Sequence, residues 1–143
     1  MTIRWLAPLA AVALILGACS DGSGDGTVSV TLDEHNVVAD PSSGDAGEIT
    51  FDVENTGEET HEIVLVRTDL APGELPTADD GSFDEDQVEV VDEIEDMEAG
   101  ASERLTVDLE AGSYVLACNV VEEEDGETEA HYALGMHTAF EVS

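Results

Sequence analysis

The sequence predicts an all-β protein, a sandwich or barrel of about seven to eight short strands. Apolar residues alternate with polar ones in several short runs, which is the period of a strand with one buried face. Clusters of Gly, Pro, Asn, Asp and Ser separate these runs and are typical of turns. After the apolar N-terminal run, no segment has the spacing of an amphipathic helix.

The predicted strands follow one another along most of the chain. Their alternating apolar positions are, in order, Val28, Val30 and Leu32; Val37 and Val38; Ile49, Phe51 and Val53; His61, Ile63 and Leu65; Leu105, Val107 and Leu109; Tyr114, Leu116 and Cys118; and the run 138–142. Residues 69–87 contain two prolines and two glycines, which predicts a long loop. Residues 88–94 mix valines with acids, so a short strand and a helical turn both fit.

The first 18 residues have the features of an export signal. Arg4 supplies a positive start, and the apolar run 6–16 is too short to span a bilayer comfortably. The small residues before Cys19 resemble the cleavage box of bacterial lipoproteins, which implies cleavage before Cys19 and a lipid on its sulfur. Residues 19–27 are small, polar and rich in glycine, and predict a flexible tether. The folded domain is therefore expected at 28–143, anchored by lipid outside the cytoplasm.

The charge is strongly one-sided. The chain has 35 acidic and three basic residues, for a formal net charge of −32. Nucleic acid binding is excluded in practice, because phosphate recognition needs basic side chains. Two interpretations of the acidity remain open. One is a solvated surface suited to high salt, where charges are screened, and the other is a docking surface for a basic partner.

Soft metal donors are concentrated near the C-terminus. Cys118 ends a predicted strand, and His131 and Met136 lie in the segment that returns toward it. Apart from Cys19, Cys118 is the only thiol, so it has no internal disulfide partner. His61, at the start of an upstream strand, is the candidate for a second imidazole. A thiolate, two imidazoles and a weak axial thioether are the ligand set of type 1 copper.

The same residues carry a family resemblance. The segments NTGEETHEIVLV and YVLACN, and the later HYALGMHTAFEV, resemble those of cupredoxins, the blue copper proteins. The matching residues are Tyr114, Leu116, Cys118, Asn119, His131, Tyr132, Gly135, Met136, Phe140 and Val142. This resemblance implies a Greek-key β-sandwich over residues 28–143. It also implies one copper ion held by His61, Cys118, His131 and Met136.

One departure from the family pattern concerns the spacing of two of these ligands. Twelve residues separate Cys118 from His131, whereas most cupredoxins have only a few. The inserted VVEEEDGETEA is expected to form an acidic protrusion over the metal site, provided that His131 folds back. Otherwise His137 is the alternative imidazole, although it follows Met136 directly and would point the opposite way on an extended chain. The acids at 122–125 would favour Cu(II) and lower the reduction potential.

The sequence therefore predicts a type 1 copper lipoprotein that carries single electrons at the extracytoplasmic face of the membrane. Its expected partner is a redox protein with a basic docking surface. No catalytic triad, phosphate loop or paired-carboxylate motif is visible, so we do not expect an enzyme. The alternatives are a copper-delivery lipoprotein without redox cycling, and a metal-free interaction module on the same fold.

Overall fold

A computed structural model describes residues 26–143. The predicted signal segment, the lipidation site at Cys19 and most of the 19–27 tether lie outside the described residues. In the described part of the chain, no helix has the length and apolar character needed to cross a membrane.

The described residues form eleven strands and two short 3₁₀ turns. The strands are β1 (Thr27–Asp33), β2 (Asn36–Asp40), β3 (Ser43–Gly44), β4 (Gly47–Asn55), β5 (His61–Arg67), β6 (Glu89–Met97), β7 (Ser102–Leu109), β8 (Gly112–Ala117), β9 (Val121–Glu124), β10 (Glu127–Ala130) and β11 (His137–Val142). The 3₁₀ turns are Pro72–Glu74 and Glu85–Gln87. The all-β prediction is confirmed. The strand total exceeds the predicted one because β3 has only two residues and β9 and β10 form within the acidic insert.

Two sheets face each other. One has the order β2-β1-β4-β7 and the other the order β3-β11-β8-β5-β6. The β1–β4 and β3–β11 pairs are parallel, and the remaining pairs are antiparallel. The inward faces carry most of the predicted apolar residues and enclose one core, whereas Val38 is exposed. Phe51 and Phe140 meet there edge to face across the two sheets, with ring centroids 5.2 Å apart, a favoured aromatic geometry.

The five-stranded sheet is buried on both faces in its middle. Ile63 and Leu65 point into the main core, as the alternation predicted, while Val64 and Val66 belong to a second apolar cluster. The loop between β5 and β6 covers that second cluster with Phe83 and other apolar side chains. This double burial explains why the β5 sequence IVLV is continuously apolar.

Within the undecided segment 88–94, all residues but Val88 belong to a strand. Strand β6 pairs with β5 at the edge of its sheet, and most of its residues are exposed acids. Only Ile94 and Met97 are buried, so the apolar period of a strand is weak in this part of the sequence.

The strand registers define two poles of the sandwich. At one pole, here called the Cys118 pole, β4 and β6 end, β5 begins, and β8 runs into Cys118. At the opposite pole, Gly26 accepts a hydrogen bond from Thr50, and Ser143 accepts one from Ala46. The candidate metal ligands therefore have to be sought at the Cys118 pole.

Candidate metal centre

Cys118 lies directly after β8 and is fully buried. Its backbone N–H donates to the carbonyl of Met136 at 2.9 Å. The backbone N–H of Glu62, the second residue of β5, lies 3.5 Å from its Sγ. The start of β5 thus supplies a hydrogen-bond donor to the sulfur. Such a contact stabilises a thiolate, because the N–H dipole points its positive end at the charge.

His131 does fold back to the Cys118 strand. The insert forms the β9–β10 hairpin, and the backbone N–H of His131 donates to the carbonyl of Val120 at 2.9 Å, closing its base. A tight turn follows, in which the N–H of Met136 donates to the carbonyl of His131 at 3.1 Å. Gly135 has a φ of 106° in this turn, a value that side-chain-bearing residues rarely adopt. The hairpin and turn thus bring both predicted ligands to Cys118.

His61 is set in place by the turn that precedes β5. Asn55, the last residue of β4, is fully buried, and its side-chain amide donates to the carbonyls of Glu59 and Met97, each at 2.8 Å. Its side-chain oxygen accepts from the N–H of Gly57 at 3.0 Å. These bonds hold the turn against β6 of the other sheet, so His61 enters β5 beside Cys118.

The three strongest candidate ligands meet in one buried group. The Nδ1 atoms of His61 and His131 are 3.2 Å apart. The Sγ of Cys118 is 3.9 Å from Nδ1 of His61 and 3.5 Å from Nδ1 of His131. Met136 is fully buried in the same apolar cluster as Cys118 and is joined to it through the backbone. The predicted residues are therefore brought together at one pole of the sandwich.

Burial sets the protonation of this group in the metal-free chain. Removal from water raises the pKa of the Cys118 thiol from 9.0 to about 11, because the interior disfavours the anion. Burial, followed by the neighbouring His131, lowers the pKa of His61. At neutral pH the pocket therefore holds a neutral thiol and a neutral His61 ring.

The arrangement fits a copper ion of the type 1 kind. A sulfur and two imidazole nitrogens converge away from water, and the Met136 side chain is also buried. Among the described residues, Nε2 of His61 is the buried side-chain nitrogen or oxygen without a hydrogen-bond partner. This nitrogen is not the candidate ligand atom, because Nδ1 of the same ring faces Cys118. A thiolate, two imidazoles and a weak thioether are the donors that a type 1 copper ion takes.

His137 does not join this group. It begins β11, pairs with Ala117, and packs its ring against that of Tyr132 with centroids 5.1 Å apart. The turn at Gly73 covers the same ring, since a Cβ built there would lie 3.3 Å from it. The structure therefore favours His131, and not the alternative His137, as the second candidate imidazole.

Acidic and amide side chains complete the pocket, and sequence analysis did not assign them roles. Glu62 accepts a hydrogen bond from the N–H of Asn119 at 3.0 Å, and burial raises its pKa to about 7. Asn119 also exchanges hydrogen bonds with the backbone of Phe83, at 2.7 and 3.0 Å. These contacts join the segment after Cys118 to β5 and to the covering loop. In the sequence, Glu62 is marked only by its place beside His61, whereas Asn119 adjoins Cys118 and belongs to the matched YVLACN segment.

Comparison with solved structures finds similar β-sandwiches. An auracyanin from Roseiflexus castenholzii is 22% identical with a TM-score of 0.56, over 82% of this chain and 97% of that one. Auracyanin A from Chloroflexus aurantiacus, described as a "blue" copper protein, is 18% identical with a TM-score of 0.51, over 82% and 99%. Rusticyanin from Thiobacillus ferrooxidans is 16% identical with a TM-score of 0.52, over 82% and 78%. No protein-family model and no curated protein sequence matches the chain.

The fold and the site thus define a β-sandwich with a soft-donor pocket at one pole. The chain has the cupredoxin fold, as the sequence motifs indicated. Within it, His61, Cys118, His131 and Met136 form a site like that of type 1 copper proteins.

Proposed function

We propose that this protein binds one copper ion through His61, Cys118, His131 and Met136 and carries single electrons. The observation that supports this most directly is the buried convergence of the Cys118 sulfur with Nδ1 of both histidines. The cupredoxin fold, shared with a protein described as a "blue" copper protein, supports the same assignment. A bound copper ion would supply the Cu(II)/Cu(I) couple.

The chain's own contribution is to hold four donors in fixed positions. Cys118 and Met136 are tied by a backbone hydrogen bond, and His61 is set by the buried Asn55 amide. Because the sandwich is closed around these contacts, the donors need to move little when the charge of the site changes. Small reorganisation favours rapid one-electron transfer.

The proposed location is the extracytoplasmic face of the membrane, with a lipid on Cys19. The resemblance of the segment before Cys19 to a lipoprotein cleavage box supports it. A Cys19→Ala variant should appear in the medium or the soluble extract rather than in the membrane fraction. Mass spectrometry of the membrane-bound wild type should show a diacylglyceryl group on the N-terminal cysteine. A wild-type chain that keeps residues 1–18 and carries no lipid would refute the anchor.

The proposed partner is a redox protein with a basic docking surface. The exposed acids of the β9–β10 hairpin, close to the site, support this proposal, as does the net charge of −32. Association driven by charge should slow steeply with added salt. Electron transfer to a basic cytochrome that is equally fast at low and high salt would contradict it.

The visible spectrum of the copper-loaded protein tests the metal assignment. We expect an intense blue or green sulfur-to-copper band, abolished in Cys118→Ser and retained in the control His137→Ala. A band that survives in Cys118→Ser would refute the thiolate assignment. A colourless Cu(II) complex would favour copper delivery instead, and absence of copper uptake would favour a metal-free interaction module.

A further inference from the structure

A carboxylate faces the far side of the His131 ring. The Oε2 of Glu59 lies 3.6 Å from Nε2 of His131, whose side chain is 1% exposed. An oxygen of Glu122, from the hairpin, belongs to the same group within 4.8 Å. This contact is longer than the roughly 2.9 Å of an N–H···O bond, and the Glu59 side chain, which is 36% exposed, would have to turn toward the ring to form one.

The backbone of Glu59 is held on both sides. Its N–H donates to Oε1 of Glu34 at 3.2 Å, and Glu58 donates to the same oxygen. Its carbonyl accepts from the buried Asn55 amide at 2.8 Å. The Glu34 carboxylate packs so closely against Gly57 that a Cβ at this position would clash with it. The turn that sets His61 in place thus also places the Glu59 carboxylate beside His131.

The contacts of the His61 and His131 rings favour one pair of tautomers over the other. The two Nδ1 atoms are 3.2 Å apart, so they cannot both carry a proton, and a hydrogen bond between them requires that one donates and the other accepts. If His131 donated, its Nε2 lone pair would face the Glu59 carboxylate. His61 would then carry its proton on Nε2, where it has no partner. If His61 donates instead, His131 carries its proton on Nε2, directed at Glu59, and Nε2 of His61 is left as an unpaired acceptor, which costs less than an unpaired N–H.

We propose that Glu59 is a positioning residue that keeps His131 in the Nε2–H tautomer, with the Nδ1 lone pair directed into the pocket before any metal arrives. His61 is then the imidazole that must move its proton from Nδ1 when a metal binds. This tautomer assignment stands without copper. Its consequence for the metal rests on the proposed function: a carboxylate on Nε2–H makes the imidazole a stronger ligand and favours Cu(II) over Cu(I).

The first test uses metal-free protein labelled with ¹⁵N at histidine and measured by NMR at pH 8. In the wild type, His131 should be in the Nε2–H form and His61 in the Nδ1–H form. Glu59→Met removes the acceptor and should lower the His131 tautomer ratio at least about tenfold, because a hydrogen bond to a charged group contributes roughly 1.5 kcal/mol or more. Glu59→Gln retains an amide oxygen and should restore the wild-type tautomer.

Glu122→Gln is the matched control, since it removes one charge near the same ring and should leave the tautomer unchanged. Dispersed amide spectra of each variant would show that the sandwich is intact. An Nδ1–H form of His131 in the wild type would overturn the proposal. So would a His131 tautomer that does not respond to Glu59→Met in a folded variant.

The second test measures the reduction potential of copper-loaded protein by voltammetry. Glu59→Met should weaken Cu(II) binding about tenfold more than Cu(I) binding, a rise of about 59 mV for a one-electron couple. Glu122→Gln should give a clearly smaller rise. Equal shifts in the two variants would overturn the effect on the metal. A wild type that takes up no copper but shows the expected tautomers would refute the proposed function and leave the Glu59 assignment standing.

Discussion

The metal affinity of the pocket should depend on pH through one thiol. Burial raises the pKa of Cys118 from 9.0 to about 11. At 1.36 kcal/mol per pKa unit, ionising this thiol at pH 7 costs about 5 kcal/mol, of which burial contributes roughly 3. Metal binding has to supply that free energy, because the ligand is the thiolate. Raising the pH lowers the cost, so the apparent affinity should rise with pH.

The expected slope of metal affinity against pH follows from the groups that do not change protonation between pH 8 and 9. Burial lowers the pKa of His61, so its ring is neutral in alkaline solution, and above pH 8 ordinary histidines are neutral as well. Glu62 has a pKa of about 7 and is mostly ionised there. Between pH 8 and 9, one proton should therefore leave per metal bound, and the affinity should rise about tenfold per pH unit.

Competition with a chelator of known protonation constants, at several values between pH 8 and 9, measures this slope. Proton release into a weakly buffered solution with an indicator dye measures it independently. Met136→Leu should keep the slope, since a thioether has no proton to lose, and Cys118→Ser should lose it. A wild-type affinity that is flat over this range, with no proton released, would refute the assignment of a buried, protonated thiol.

Three further outcomes are expected. Met136→Leu should retain copper and raise the reduction potential in voltammetry, because a weak donor is lost; complete loss of metal would contradict an axial role. Asn55→Ala should lower the free energy of unfolding of the metal-free protein by about 1–3 kcal/mol in urea titrations, since buried carbonyls lose their donor; an unchanged midpoint would show that this amide is dispensable. Replacing Glu123, Glu124 and Glu127 by glutamine should raise the reduction potential by well under 59 mV, because exposed charges are screened. A shift of about 59 mV corresponds to a tenfold change in the ratio of Cu(II) to Cu(I) affinity. The triple replacement should also weaken the salt dependence of association with a basic cytochrome, and an unaltered salt dependence would show that the hairpin is not the docking surface.

The sandwich could be predicted because its signals are local. Alternation at Ile49, Phe51 and Val53 reports one buried face, and the structure places all three in the main core. Strand β6 could not be decided, because an edge strand with exposed acids lacks that period. The short β3 has only two residues, too few to carry any pattern.

The candidate ligands could be picked out because few residue types bind soft metals. Cys118, His131 and Met136 are close in sequence, and His61 was found from its place at a strand start. Glu59 could not be found in the same way. Its contact with His131 joins residues that are far apart in the chain, and it depends on the conformation of a turn that the Asn55 amide sets.

The position of Gly26 and Ser143 at the pole opposite Cys118 has a practical consequence. A bead, an electrode or a fused carrier domain joined at either position is attached away from the candidate metal pocket. Immobilised in this way, the protein would present the pocket and the acidic hairpin to the solution, where electron exchange with an added partner can be measured directly.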